Sequence, residues 1–202
     1  MYIAHRWGDR NLSRMELVIA ILVLAILAGV FSRHMLIVFA KAEQSMINST
    51  IINFNTTLNY RAALAFMKNK YHELELLETT NPMKEQQVVI TEELQSIGFH
   101  NLQLALMAST IYTPLNYAGE VNSLTMDSME KGKWYFNQDN QHIIYKIRNT
   151  EFFSNDVEGS AQLQFRVVID YDDANANGRY DPEVDDFKMM KLESVNHYQW
   201  HF

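Results

Sequence analysis

Residues 17–31 read LVIAILVLAILAGVF, without one polar side chain. Ser32, Arg33 and His34 interrupt the run, and residues 35–40 (MLIVFA) resume it. At 1.5 Å per residue the first run measures about 22 Å and the whole of 17–40 about 36 Å. A bilayer core is roughly 30 Å thick, so the complete stretch is predicted to cross a membrane as one helix. Arg33 and His34 then fall near the far interface, where a long cationic side chain reaches the headgroups.

Charge predicts the orientation. Arg6, Arg10 and Arg14 precede the apolar run, against Asp9 and Glu16. The basic flank stays cytoplasmic, so residues 1–16 form a cytoplasmic leader, 17–40 the span and 41–202 an extracytoplasmic domain. A cleaved secretory signal is the competing reading, with Val38-Phe-Ala40 as its cleavage site. The apolar segment is longer than the roughly 7–15 residues of a signal core, which favours a retained anchor. Glu16, a carboxylate where the apolar helix begins, is a functional candidate because lipid penalises an unpaired charge.

The rest of the composition narrows the function. The chain has 202 residues, enough for one anchor and one domain of ordinary size. A formal net charge of −7 argues against a nucleic-acid partner, since binding phosphates needs clustered Lys and Arg. With no cysteine there is neither disulfide nor thiolate chemistry. A loop-rich domain outside the cytoplasm then needs another staple, and the acidic run 170–186 points to a cation.

The segment Ser13-Arg-Met-Glu16 followed by LVIAILVLAILAGV resembles the N-terminal signature of type IV pilins and type II secretion pseudopilins. Those proteins have a short basic leader, a processing site, and a hydrophobic helix with a glutamate near its start. The resemblance implies a processed N-terminus at Leu12. It also implies that Glu16 pairs with a neighbouring subunit's terminal amine during assembly. Asn11 stands where that family has glycine, and Arg33 where it often has a helix-bending proline.

Beyond the span, Ile47, Ile51, Phe54, Leu58, Ala62 and Ala65 make one stripe at helical spacing. Asn48, Asn53, Asn55, Asn59 and Lys68 are assigned to the opposite face. One long helix is therefore expected to run on through residues 43–78, until Asn81-Pro82 stops it. Thr91, Glu92 and Glu93 predict a second helix over 91–108, and 109–132 reads as loop. Residues 133–137 and 142–149 read as a hairpin, followed by strands at 162–171 and 187–195. A long helix packed on an antiparallel sheet of about four strands is an α+β fold, and also the pilin architecture.

Four short segments narrow the resemblance. Arg61-Ala-Ala-Leu-Ala, Asn81-Pro-Met83, Asn116-Tyr-Ala-Gly-Glu120, and Gly132-Lys-Trp-Tyr-Phe136 with Ile144-Tyr-Lys146 are similar to the F-type accessory proteins of mannose-sensitive haemagglutinin (MSHA) pilus biogenesis. This covers residues ~12–150 and implies a minor component of an envelope assembly machine in a bacterial inner membrane. Its partners would be other pilin-like subunits, assembly proteins and membrane lipid.

The acidic run has its own pattern. Asp173, Asn175, Asn177 and Asp181 stand at positions 1, 3, 5 and 9 of an EF-hand-like loop, with Gly178 at the turn and Arg179 offering its carbonyl. Position 12 is Val184 rather than glutamate, so Glu183, Asp185 or water closes the shell; Asp186 is spare. The expectation is a structural Ca2+ site made of Asp173, Asn175, Asn177, Arg179, Asp181 and Asp185. A solvated Asn/Asp/Gly turn is the alternative.

Enzyme signatures are absent: there is no phosphate-cradling glycine loop, nucleophile elbow or HExxH helix. His197 and His201 read as surface residues beside Tyr198 and Trp200, without a third metal ligand. Asp170, Asp172 and Asp173 belong to the cation loop before they belong to an acid–base cluster. Trp134, Tyr135 and Phe136 read as sheet core. Two functions follow, neither catalytic: a pilin-like assembly component, or a single-span calcium-dependent periplasmic binding module outside any filament.

Overall fold

The computed structural model describes residues 14–83, 113–157 and 159–202. The processing site at Asn11 and Leu12 and the expected helix 91–108 lie outside the described residues.

One helix, α1 (Arg14–Met67, 54 residues), begins the described chain. Its length is roughly 80 Å. Residues 14–34 are exposed throughout, and this apolar half is long enough to cross a membrane. Glu16 sits in the first turn, where a carboxylate complements the positive end of the helix. From Ala40 onward the helix acquires a buried stripe: Ala40, Glu43, Ile47, Thr50, Phe54, Leu58, Ala62 and Ala65. The steps of three and four residues keep these positions on one side.

α1 ends earlier than the periodicity predicts. Asn69 adopts φ 54°. The Lys70 N–H donates to the Ala65 carbonyl (2.8 Å), and the Asn69 N–H to that of Phe66 (3.1 Å). This pair of bonds around a left-handed residue is a Schellman cap, and asparagine tolerates that conformation better than most residues. A separate helix, α2 (His72–Thr79), follows at once and stops with Thr80 extended, two residues before Pro82. The apolar rhythm runs on across the break, so spacing alone reads one helix where there are two.

The strands are β1 (Tyr117–Val121), β2 (Trp134–Asn137), β3 (His142–Lys146), β4 (Phe153–Asn155), β5 (Gln162–Asp172), β6 (Asp186–Ser194) and β7 (Tyr198–Trp200). Five form one sheet in the order β1-β2-β3-β5-β6, and β4 pairs with β7 in a second. The expected hairpin is β2–β3, with Trp134 opposite Tyr145 and Phe136 opposite Ile143. Two features depart from the expectation. β1 forms inside the segment read as loop and lies parallel to β2. The β4–β7 pair comes from segments too short to show an alternating pattern. The fold is α+β, with an antiparallel-rich sheet.

α1 covers one face of the sheet. Phe54 meets Trp134 edge-on at 6.4 Å, and Trp134 lies 4.9 Å from Tyr145 and 6.1 Å from Phe165. Tyr135 and Ile144 point to the other face, where Val121 and Met129 cover them. All four residues of β2 are therefore buried, as expected for Trp134, Tyr135 and Phe136.

Asn55 and Asn59 do not belong to a solvent face. β6 is an edge strand, and these two side chains meet its free backbone. The Met190 N–H donates to Asn59 Oδ1 (3.0 Å), Asn59 Nδ2 donates to the Met190 carbonyl (2.8 Å), and the Leu192 N–H donates to Asn55 Oδ1 (2.8 Å). Residues four apart on a helix rise about 6 Å, which nearly matches the ~6.8 Å between alternate residues of a strand.

Candidate functional site

The acidic loop lies between β5 and β6, at the end of the domain away from the apolar half of α1. Near the top of α1, the Phe66 ring packs on Phe187 at 4.7 Å, and Tyr180 from the loop packs on Phe187 and on Tyr171. Phe66 is roughly 38 Å along the helix from Lys41.

Asp173, Asn175, Asn177, Arg179, Asp181 and Asp185 all fall in this one loop, and its Asp and Asn side-chain oxygens turn inward onto its backbone. Asp173 accepts N–H bonds from Asn177 (3.2 Å) and Gly178 (2.7 Å). Asn175 accepts from Asn177 and Asn177 from Arg179. Asp185 is buried and accepts from Ala174 (2.9 Å) and Asp181 (2.7 Å), tying the two ends of the loop together. Gly178 takes φ +72°, the left-handed turn such a loop requires. Among the described residues, no group of three or more His, Asp or Glu is gathered as a metal-holding cluster.

Asp170 and Asp172 are not part of the loop. Both lie on β5 and pair with lysines of β6: Asp170 with Lys191 at 2.7 Å, and Asp172 with Lys188. The Lys191 ammonium holds the Asp170 carboxyl below its usual range. These strand-end aspartates read as loop residues because they continue the acidic run without a break. At the other end of the domain, His201 Nε2 is 2.7 Å from Ser154 Oγ.

Beside the loop, α2 and β5 border a groove of about 680 Å³ lined by carboxylates and cations in mixture, among them Glu78, Arg166, Arg179 and Lys191. Here Glu78 Oε1 accepts the Ile169 N–H at 2.8 Å, on a length of β5 that extends past its partner β3. Partial burial raises the Glu78 carboxyl above its ordinary value, the Ile169 bond opposes the shift, and Glu75 adds to it. A carboxyl raised on folding contributes stability that is present below its unfolded value and is lost as pH rises through the folded one. Glu78→Gln keeps an acceptor for Ile169 and removes this titration. Its melting temperature relative to the parent should rise between acid and neutral pH. The half-exposed position keeps the effect below about 1 kcal/mol. Parallel melts across that pH range test this, and a constant offset would contradict it.

The most heavily bonded carboxylate among the described residues was not among the sequence candidates. Glu43 is buried on α1 just above the apolar stretch. Its Oε1 accepts the Tyr145 hydroxyl (2.9 Å) and the Arg148 N–H (2.7 Å). Its Oε2 accepts the Asn149 N–H (2.9 Å) and Asn149 Nδ2 (2.7 Å). Four donors on one carboxylate clamp the helix to the chain that leaves β3. Burial first, and the Glu43 charge second, push the Tyr145 hydroxyl far above its ordinary range, so it remains a proton donor. An apolar groove of about 690 Å³ opens beside the clamp, with Phe39, Met46, Leu115 and Arg148 among its walls. The one sequence signal for Glu43 is an acid aligned with the apolar stripe, four residues before Ile47.

Compared with protein-family models, with curated proteins and with solved structures, the chain matches none.

Proposed function

We propose that this protein is a non-enzymatic, pilin-like component of an envelope assembly machine, of the kind that builds MSHA-type pili. Residues 17–40 hold it in the bacterial inner membrane, with the N-terminal side cytoplasmic and the domain periplasmic. One observation carries the reading: a single helix whose first half is apolar and bare, and whose second half is the spine of an α+β domain. That division suits a subunit that waits in a membrane and then packs its bare half against neighbours. Glu16, at the start of the bare half, is the residue that bears on such packing.

The loop 173–185 is read as a structural Ca2+ site at the membrane-distal end. Its supports are the inward-turned oxygens, the glycine turn and the buried Asp185. A carboxylate oxygen that accepts one N–H retains a second lone pair for a cation, so capping and coordination are compatible. The remaining ligands are the Arg179 carbonyl and water. Bound calcium would fix the β5–β6 register in a chain that has no disulfide.

Two measurements test the two parts. Intact mass of protein from native membranes should show loss of residues 1–11; a mass starting at Met1 would move the function to a permanent membrane anchor. Calorimetric titration of the purified full-length chain should show saturable calcium binding at or below the millimolar range of extracellular modules. Asp173→Ala combined with Asp185→Ala should abolish it. No heat of binding in the parent would remove calcium from the proposal and leave the assembly role standing.

A further inference from the structure

At the foot of the domain, the second sheet carries a stack of rings that the core does not use up. Tyr198 and Trp200 pack against the core, but Phe202 continues the series outward and is 51% exposed. Phe202 stacks on Trp200 (5.9 Å between centroids, 12° between planes) and on Phe152 (6.3 Å, 27°). Lys41, the residue directly after the apolar stretch, holds its Nζ 5.3 Å from the centre of the Phe202 ring. The stack therefore sits at the height where α1 leaves its apolar half.

A second cation stands near the same level, beside the apolar groove. The Arg148 backbone is held by Glu43, only two residues above Lys41. Its guanidinium lies so close over Gly132 that a Cβ there would collide with it. Arg148 is exposed and forms no ion pair among the described residues. The foot of the domain thus presents aromatic rings, a lysine and an exposed arginine.

We propose that this foot is a lipid-contact surface, resting on the phosphate and glycerol layer of the outer leaflet of the membrane that α1 crosses. The inference rests on the anchoring read for residues 17–40. Aromatic rings with a polar or cationic neighbour favour the headgroup layer, and Lys and Arg extend their amines to phosphate. An anionic phospholipid supplies negative charge opposite Arg148 and Lys41. Such contact would hold the domain against the bilayer and set its tilt relative to the helix.

The cysteine-free chain allows single spin labels on the full-length protein, reconstituted in phosphatidylethanolamine–phosphatidylglycerol vesicles. Thr150→Cys places a label beside Phe152 with every ring intact. Val184→Cys marks the distal loop, and Leu24→Cys the span. The expected result is several-fold lower access of a water-soluble nickel chelate at position 150 than at 184. Adding Phe202→Ser and Trp200→Ser should return position 150 to the access seen at 184. Equal access at 150 and 184, with oxygen-rich and nickel-poor contact at 24, would overturn the lipid contact and leave the anchor intact. A water-exposed label at 24 would overturn the anchor and the lipid contact together. Protection at 150 with spin–spin broadening that disappears on dilution with unlabelled chain would assign the surface to a second copy, and so overturn the lipid contact.

Discussion

Replacing Glu43 with leucine should cost the domain about 3–5 kcal/mol, more than any other single polar substitution on α1. The leucine fills the space but leaves the Tyr145 hydroxyl, the Arg148 and Asn149 N–H groups and the Asn149 amide without their acceptor. A buried donor that loses its partner costs roughly 1–3 kcal/mol, and some of the four should recover water through the neighbouring groove. Glu43→Gln separates charge from shape. One of its ends still accepts, but the other presents an NH2 group to two donors, so about half the loss is expected despite near-identical volume. Tyr145→Phe removes a single donor and should cost about 1 kcal/mol. Near-ultraviolet melts of the full-length chain in detergent would order the three variants, and amide exchange at Arg148 and Asn149 should accelerate first. A Glu43→Gln variant as stable as the parent would show that the clamp is packing and not acceptance.

The clamp matters because of where it lies. Ala40 is the first buried residue of α1, and Glu43 is the next. Below them the helix touches little of the domain; above them it is bound to the sheet by Ile47, Phe54 and Leu58. A carboxylate here fixes the angle at which the domain leaves the apolar half of α1. An apolar residue would hold it with less directional control, since burial is non-directional and four hydrogen bonds are not.

What could be read from the chain followed periodicity. The apolar run, the stripe from Ile47 to Ala65, and the strands around Phe136, Ile144, Phe165 and Leu192 each repeat a pattern long enough to read, and together they yield the α+β fold. Signals carried by one or two residues were hidden. Asn69 ends α1 by adopting a left-handed conformation that nothing in its neighbours announces. β1 is parallel to β2, and parallel pairing has no local turn to mark it. β4 and β7 are three residues each, below the length at which alternation is distinct. Residues 173–185 of the acidic run share one loop, but Asp170 and Asp172 belong to the strand, because only pairing with Lys191 and Lys188 separates them from the run. Glu43 was missed for another reason: its four donors lie more than a hundred positions away, so its role exists only once the chain has folded.

Asn55 and Asn59 lead to the second large effect, because the same substitution should give very unequal costs at two sites one helical turn apart. Asn55 only accepts, from the Leu192 N–H. Asn59 accepts from the Met190 N–H and also donates its amide to the Met190 and Asn55 carbonyls, at 2.8 and 2.7 Å. Aspartate at 55 keeps its acceptor and should cost less than about 1 kcal/mol. Aspartate at 59 loses both donated bonds and sets a carboxylate against two carbonyl oxygens, which should cost about 3 kcal/mol. Asn59→Ala should fall between them, since it leaves Met190 unpaired without adding charge. The damaged variants should also self-associate, because β6 is the sheet edge and an uncapped edge is a template for another strand. Thermal melts with light scattering read both effects. Equal costs for aspartate at 55 and 59 would mean that these side chains merely border the strand, whereas a large difference would establish that the helix supplies the edge pairing that a further strand would otherwise provide.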